Sequence, residues 1–175
     1  MRRFLHQLRE AGFIGVQNFP TVGLIDGNFR ANLEETGMGY EKEVEMIRIA
    51  REMDLVTTPY VFTVEEGEKM ARAGADVIVV HLGLTTSGNI GAQTAVGLEE
   101  SVGIVQRIRD AVVGINPDVI VLCHGGPVAG PEDAAFVLKR TKGVHGFFGA
   151  SSMERLPVEK AIEGNARRFK GIKLE

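Results

Sequence analysis

The chain has 175 residues, 44% hydrophobic and 25% charged, which suits one globular domain with its own core. Its net charge of -3 leaves no basic footprint for nucleic acid or an anionic membrane surface. No window approaches the ~18 consecutive apolar residues of a membrane-spanning helix, and the lone Cys123 excludes a disulfide framework. The first ten residues read as an amphipathic helix rather than a signal peptide, since they lack an apolar core and a small-residue cleavage site. A cytoplasmic protein in a reducing compartment is the expectation.

Phe4, Leu5 and Leu8 stand at helical spacing, and Gly12 is placed to end that helix. Phe13 to Pro20 reads as a short buried strand. Thr21 to Met38 is rich in Gly and Asn and reads as an irregular connection, with one helical turn near Ala31–Glu35. A connection of this length after a strand suits a lid. Glu41 to Asp54 predicts a helix with a wide apolar face built on Val44, Ile47 and Ala50 and on Met46, Ile49 and Met53. Leu55 to Phe62 is the second strand. Thr63 and Glu66 then fit a capping box, and that helix ends near Gly74.

Asp76 to Gly83 is a third strand, followed by a loop from Leu84 to Ala95. Leu98, Val102, Val105, Ile108 and Val112 mark the next helix, which Asn116-Pro117 stops. Asp118 to His124 and Val144 to Gly149 are the fourth and fifth strands, with a helix from Pro131 between them. The last helix starts near Pro157 and carries Val158, Ile162, Ala166 and Phe169. Strands that are apolar without alternation belong to parallel sheets covered on both faces. Asp76-Val-Ile-Val-Val-His81 and Asp118-Val-Ile-Val-Leu-Cys-His124 also resemble each other.

The expected fold is therefore α/β, a parallel (β/α) TIM barrel. Residues 1–175 form a single domain, with no linker or low-complexity tract to divide them. A closed barrel of this kind has eight strands, and five are predicted. The chain also opens on a helix, as though strands should precede it. It is expected to be strands four to eight of a longer parent. The outer strands would then be unpaired edges that favour a homo-oligomer.

Several long motifs support this placement. They are Val16-Gln-Asn-Phe-Pro-Thr-Val-Gly-Leu-Ile-Asp-Gly27, Asn32 to Tyr40, His81-Leu-Gly-Leu-Thr-Thr-Ser-Gly88, Val121-Leu-Cys-His-Gly-Gly-Pro127 and Gly146 to Pro157. Together they resemble the phosphoenolpyruvate hydrolase-like family of TIM-barrel proteins. The same domain is found in plant tomato mosaic virus resistance proteins and ahead of some sigma-54-dependent activators. The resemblance covers the whole chain and implies a barrel related to the phosphoenolpyruvate mutase group. It also implies that any ligand on the first three strands of the family is absent here.

In a β/α barrel the reactive face is the C-terminal end of the strands. That rule selects Gln17, Asn18, Thr58, Tyr60, His81, His124 and the segment Gly149, Ala150, Ser151 and Ser152. Gly125, Gly126 and Gly149 to Ser152 follow the last two strands, where barrels often build a phosphate cup from backbone N–H groups. The alternative is that these glycines only make tight turns. His81 and His124 are candidate acid–base catalysts, because imidazole titrates near neutrality. Equally, each can bond a neighbouring loop. Two histidines without a third ligand at recognisable spacing do not define a metal site; a divalent cation such as Mg²⁺ is implied by kinship alone.

Asn18 is a candidate to orient a substrate oxygen and Gln17 to contact the ligand, unless both satisfy loop backbone instead. Glu34 and Glu35 read as solvated helix-end carboxylates, Glu154 and Arg155 as an ion pair, and Cys123, His6 and His145 as structural. The expected ligand is a small phosphorylated or carboxylated molecule, with no nucleic-acid or membrane partner. The expected activity is hydrolysis or lyase-type cleavage of a phosphoenolpyruvate-like acid, or ligand sensing without turnover.

Overall fold

In the computed structural model, which describes residues 1–171, parallel strands alternate with helices along the chain. Helix α1 (Arg2–Glu10) is followed by β1 (Gly15–Val16), a 3-10 turn at Val22–Leu24, α2 (Gly27–Glu35) and α3 (Tyr40–Glu52). Then come β2 (Val56–Thr57), β3 (Tyr60–Val61), α4 (Val64–Arg72), β4 (Val77–His81) and α5 (Leu98–Val113). The order closes with β5 (Ile120–His124), α6 (Pro131–Arg140), β6 (Gly146–Phe147) and α7 (Arg155–Lys170). β1 pairs with β2, and β3, β4, β5 and β6 form a second ladder in chain order, every pair parallel. The protein is thus an α/β fold built on parallel sheets.

Helices α1 and α4 end where the sequence places glycine. Gly12 has φ +91 and Gly74 has φ +87. In each, the glycine N–H returns to the carbonyl three residues back (Arg9 and Ala71), and the next N–H returns five back (Leu8 and Met70). This double bond to the last turn satisfies carbonyls that a helix end otherwise leaves free. Thr63 caps α4 by accepting from the Glu66 N–H at 3.1 Å. The Glu66 carboxylate reaches back to the Phe62 N–H at 2.9 Å, one residue before the N-cap.

Three expectations are corrected. The connection after β1 holds a two-turn helix, α2, and not one loose turn. Phe13 and Ile14 are exposed, because β1 has a neighbour on one side only among the described residues. Leu55 to Phe62 is not one strand. Pro59 has no N–H to give to the ladder, so the run breaks into β2 and β3. Backbone pairing with the first strand ends at Thr58 N–H to Val16 O, 3.1 Å. Side chains take over beyond it. Gln17 Nε2 donates to Thr58 O at 2.9 Å, and Asn18 Oδ1 accepts from Tyr60 N–H at 2.6 Å.

The main core lies between the second sheet and helices α3 to α6. Ile47, Met70, Ile78, Val80, Val105, Ile108, Val112, Val121, Cys123 and Val137 are all closed to solvent. Removing each such aliphatic side chain from water contributes about 1.5–3 kcal/mol. Leu5, Ile49, Ala50, Met53 and Leu55 form a smaller cluster that seats α1. Helix α7 departs from its amphipathic pattern, since only Leu156 of it is buried.

Candidate functional site

The parallel register of β4 and β5 sets His81 directly opposite His124. The similar segments are thereby aligned from their histidine ends; Asp76 and Asp118, at their starts, do not pair. Both side chains are buried, at 6% and 7% exposure. Their ring centroids are 4.7 Å apart, with the planes at 82°. Tyr60, which opens the adjoining strand, stacks on His124 at 5.1 Å and meets His81 edge-on at 4.8 Å. Phe62 lies 4.9 Å from His81, and Phe148 lies 5.5 Å from His124. Phe19 closes on Tyr60 from the end of the first strand at 5.9 Å. Strand ends thus carry two imidazoles inside an aromatic wall.

Backbone groups fix the protonation of each ring. His81 Nδ1 lies 3.0 Å from the Gly83 N–H. An amide N–H only donates, so this nitrogen is the acceptor and the proton of neutral His81 sits on Nε2. His124 Nδ1 lies 2.7 Å from the Phe148 carbonyl oxygen. A carbonyl only accepts, so here Nδ1 carries the proton and Nε2 keeps its lone pair. Burial is the main cause that lowers the His81 pKa, and repulsion from His124 adds to it, holding the group at about 3. Burial also lowers His124, opposed by its bond to the Phe148 carbonyl and by the charge of Glu154. Neither Nε2 has a hydrogen-bond partner among the described residues, and neither is fully enclosed.

The glycine-rich segments divide into two kinds. Gly125 and Gly126 have φ +73 and φ +57. A Cβ on Gly125 would collide with Gly83 O, and one on Gly126 with Leu82 O. The Gly126 N–H is donated to Gly83 O at 2.6 Å. Close packing against the β4–α5 connection therefore accounts for both glycines. Gly149 to Ser152 differ. None of their four amides donates a hydrogen bond within the described residues. The Ser152 hydroxyl is the one enclosed side-chain oxygen or nitrogen there without a partner. Leaving such a group unbonded costs about 1–3 kcal/mol.

Asn18 and Gln17 face backbone. Asn18 Nδ2 donates to Glu43 Oε2 at 2.6 Å and to Tyr60 O at 3.2 Å, which uses both of its hydrogens. Gln17 gives one Nε2 hydrogen to Thr58 O. Glu43 also accepts from Thr21 Oγ1 and Val22 N–H, and burial raises its pKa. Glu34 binds Arg30 and the Tyr40 N–H, away from the histidines. Arg155 pairs with Glu159 at 2.8 Å rather than with Glu154, and donates to Ser87 O at 3.0 Å. Cys123 points into the core, where burial pushes its thiol up to about 11. His145 accepts from the Val121 N–H at 3.0 Å, a structural role.

Of the aromatic wall, the strand-end rule selects Tyr60 alone. Its signal was available: Phe19, Tyr60, Phe62, Phe147 and Phe148 all fall within a few positions of a strand end. Among the described residues no cluster of three or more His, Cys, Asp or Glu side chains forms a metal site. No described helix is long and apolar enough to cross a membrane.

Over all 175 residues the chain is 67% identical to the ToMV susceptible protein tm-1(GCR26) of Solanum lycopersicum, and covers 23% of that protein. It is 33% identical over 168 residues to the "Putative transcriptional regulatory protein y4pA" of Sinorhizobium fredii (strain NBRC 101917 / NGR234), covering 27% of it. The chain thus spans about a quarter of the length of these relatives. Among solved structures, 2,3-dimethylmalate lyase, a PEP mutase/isocitrate lyase superfamily member, superposes with a TM-score of 0.46 at 12% identity. That superposition covers 95% of this chain and 76% of the lyase. The match that decides kinship is to a family model running from residue 1 to residue 172, and by it the chain belongs to the phosphoenolpyruvate hydrolase-like family.

Proposed function

We propose that the chain is an arc of a (β/α) TIM barrel, strands four to eight, and binds a small phosphorylated or carboxylated metabolite at its C-terminal strand ends. The observation that carries this reading is the segment Gly149–Ser152. Four unengaged amides and an enclosed, unpartnered serine hydroxyl follow β6, beside the strand that carries His124 and two strands from His81. Neighbouring N–H groups without a protein acceptor suit an oxyanion. Sequential parallel strands support the barrel placement, and barrels put phosphates after their last two strands. Family membership supports hydrolysis or lyase-type cleavage of a phosphoenolpyruvate-like acid. His81 and His124 are the acid–base and hydrogen-bonding groups in that chemistry. Asn18 is a brace that sets the height of Tyr60.

Kinship to a regulatory protein favours a second reading, a sensor that binds the same anion without turning it over. Both readings share the first test. Inorganic phosphate and phosphoenolpyruvate are titrated into ¹⁵N-labelled protein. The amide signals of Gly149 to Ser152 should shift in a saturable way, and Ser152→Ala should weaken binding about 10-fold, the loss of one hydrogen bond to a charged group. Saturation elsewhere on the molecule, or none, sinks the anion site. Phosphate release from phosphoenolpyruvate, lost in His124→Asn with binding kept, separates enzyme from sensor.

A further inference from the structure

We infer that His81 and His124 have separate, non-interchangeable duties: His124 is the base of the site, His81 is its fixed hydrogen-bond donor, and the group they take is a neutral ketone carbonyl with an acidic C–H beside it. The inference deepens the anion-site reading and rests on it for the other end of the ligand.

The tautomers carry it. Gly83 N–H, 3.0 Å from His81 Nδ1, leaves that ring a donor at Nε2. Phe148 O, 2.7 Å from His124 Nδ1, leaves the other ring an acceptor at Nε2. The ring centroids are 4.7 Å apart, a separation that two or three bonded heavy atoms of a small molecule span. A pair offering one N–H and one lone pair matches a carbonyl oxygen and a neighbouring proton. A carboxylate or phosphate would find only one donor here and would be repelled by the free lone pair of His124. Tyr60, Phe62 and Phe148 screen most of each ring from water, which strengthens both contacts.

The step balances within these groups. The C–H bond breaks and its proton passes to His124 Nε2, making an imidazolium. The electron pair moves onto the carbonyl oxygen, and the resulting enolate is held by the His81 Nε2–H, which stays on nitrogen. The Phe148 carbonyl and the Glu154 charge favour the imidazolium. The His81 ring meets Tyr60, Phe62, His124, the Gly83 amide and Gly125, and none of these groups carries a negative charge to stabilise a second positive one. A neutral imidazole is then a lasting donor to a developing oxyanion, as in one well-studied barrel isomerase. Gly83 and Phe148 act through the rings and are positioning residues.

Two measurements on the whole chain decide the matter. In the unmodified protein, ¹⁵N spectra of the histidine rings should place the proton on Nε2 in His81 and on Nδ1 in His124. Identical tautomers would overturn the assignment without any variant. Next, pyruvate and dihydroxyacetone phosphate are incubated with the protein in D₂O, and the α-protons are followed by NMR. Exchange should exceed the protein-free rate and fall about 100-fold in His124→Asn, which keeps the bond to Phe148 O and loses the base. His81→Asn should slow exchange without moving its pH profile. His81→Gln, which restores an N–H near the Nε2 position, should recover part of it. No exchange with either ketone, or equal rates for the two His81 variants, overturns the assignment. Shifts at Gly149–Ser152 with phosphate, kept in that case, leave the anion site standing; their absence removes that site instead.

Discussion

At the scale of single residues, the buried imidazole of His81 makes a linkage prediction. Its pKa is held at about 3, well below the ordinary value, because burial disfavours the charged form. The folded state therefore binds this proton less readily than the unfolded chain. The stabilisation is full above the unfolded value of about 6.5, and is lost as pH falls towards 3. Urea unfolding followed from pH 7 to pH 4 should show a falling midpoint, and His81→Asn should flatten that slope. A slope equal in the two proteins would show that His81 is not the group responsible. Asn18 makes a second case. It bridges two strand ends with hydrogen bonds to Tyr60 N–H, Tyr60 O and Glu43. Asn18→Leu would leave the Tyr60 N–H and carbonyl without their partner and take one of three donors from the half-buried Glu43 carboxylate, and should cost about 2–4 kcal/mol in chemical denaturation. Asn18→Asp, which restores the acceptor for Tyr60 N–H but faces Glu43, should be no milder. The histidines were legible as strand-end polar residues. Asn18 was legible as important but not as a brace, because its partner in the ladder is missing only on account of Pro59, 41 positions later.

At the scale of elements, the glycines separate backbone conformation from packing. Gly12 ends α1 at φ +91 with nothing near its missing Cβ, so Gly12→Ala carries only the left-handed penalty, about 1–2 kcal/mol. Gly126 has φ +57, but its Cβ would also press on Leu82 O and break the bond from its N–H to Gly83 O. Gly126→Ala should cost at least about twice as much. It should also raise amide exchange through residues 82–88, because the two connections share that contact. Matching losses in thermal unfolding for both variants would contradict the packing account. Helix periodicity and the two glycine ends were read directly from spacing, since they depend on near neighbours. Short strands were read too long. β1 and β6 count as strands only over residues that find a parallel neighbour, and that neighbour lies about one β–α unit away in sequence. The aromatic wall escaped for the same reason: Phe19, Tyr60 and Phe148 meet only after the ladders align their strand ends.

At the scale of the whole molecule, both ends of the strand order expose apolar side chains. At the first end Phe4, Phe13, Phe19 and Ile14 stand in water, Ile14 at 81% exposure. At the other, α7 exposes Val158, Ile162 and Phe169, the last two at 66% and 68%. α7 touches the rest through Leu156 and through the Arg155–Glu159 pair, whose partners are Ser87 O and the Asn89 N–H. A helix held by one turn gains little from packing, and a 16-residue helix is marginal in water by itself. Such a face is stabilised by covering it, and a second copy of the chain can do so. β1 and β6 also present unpaired backbone groups on their outer sides among the described residues, which adds a directional pull to the apolar one. Sedimentation of the isolated chain should therefore show concentration-dependent association. Ile162→Glu should weaken it at least 10-fold, because burying an unpaired carboxylate costs more than the apolar contact it replaces. Ile14→Lys should act at the opposite end, and a contact that joins one end to the other would make the two variants equally weak. A contact joining α7 to α7 would leave Ile14→Lys as associated as the parent chain, so the pair of variants distinguishes a head-to-tail arrangement from a two-fold one.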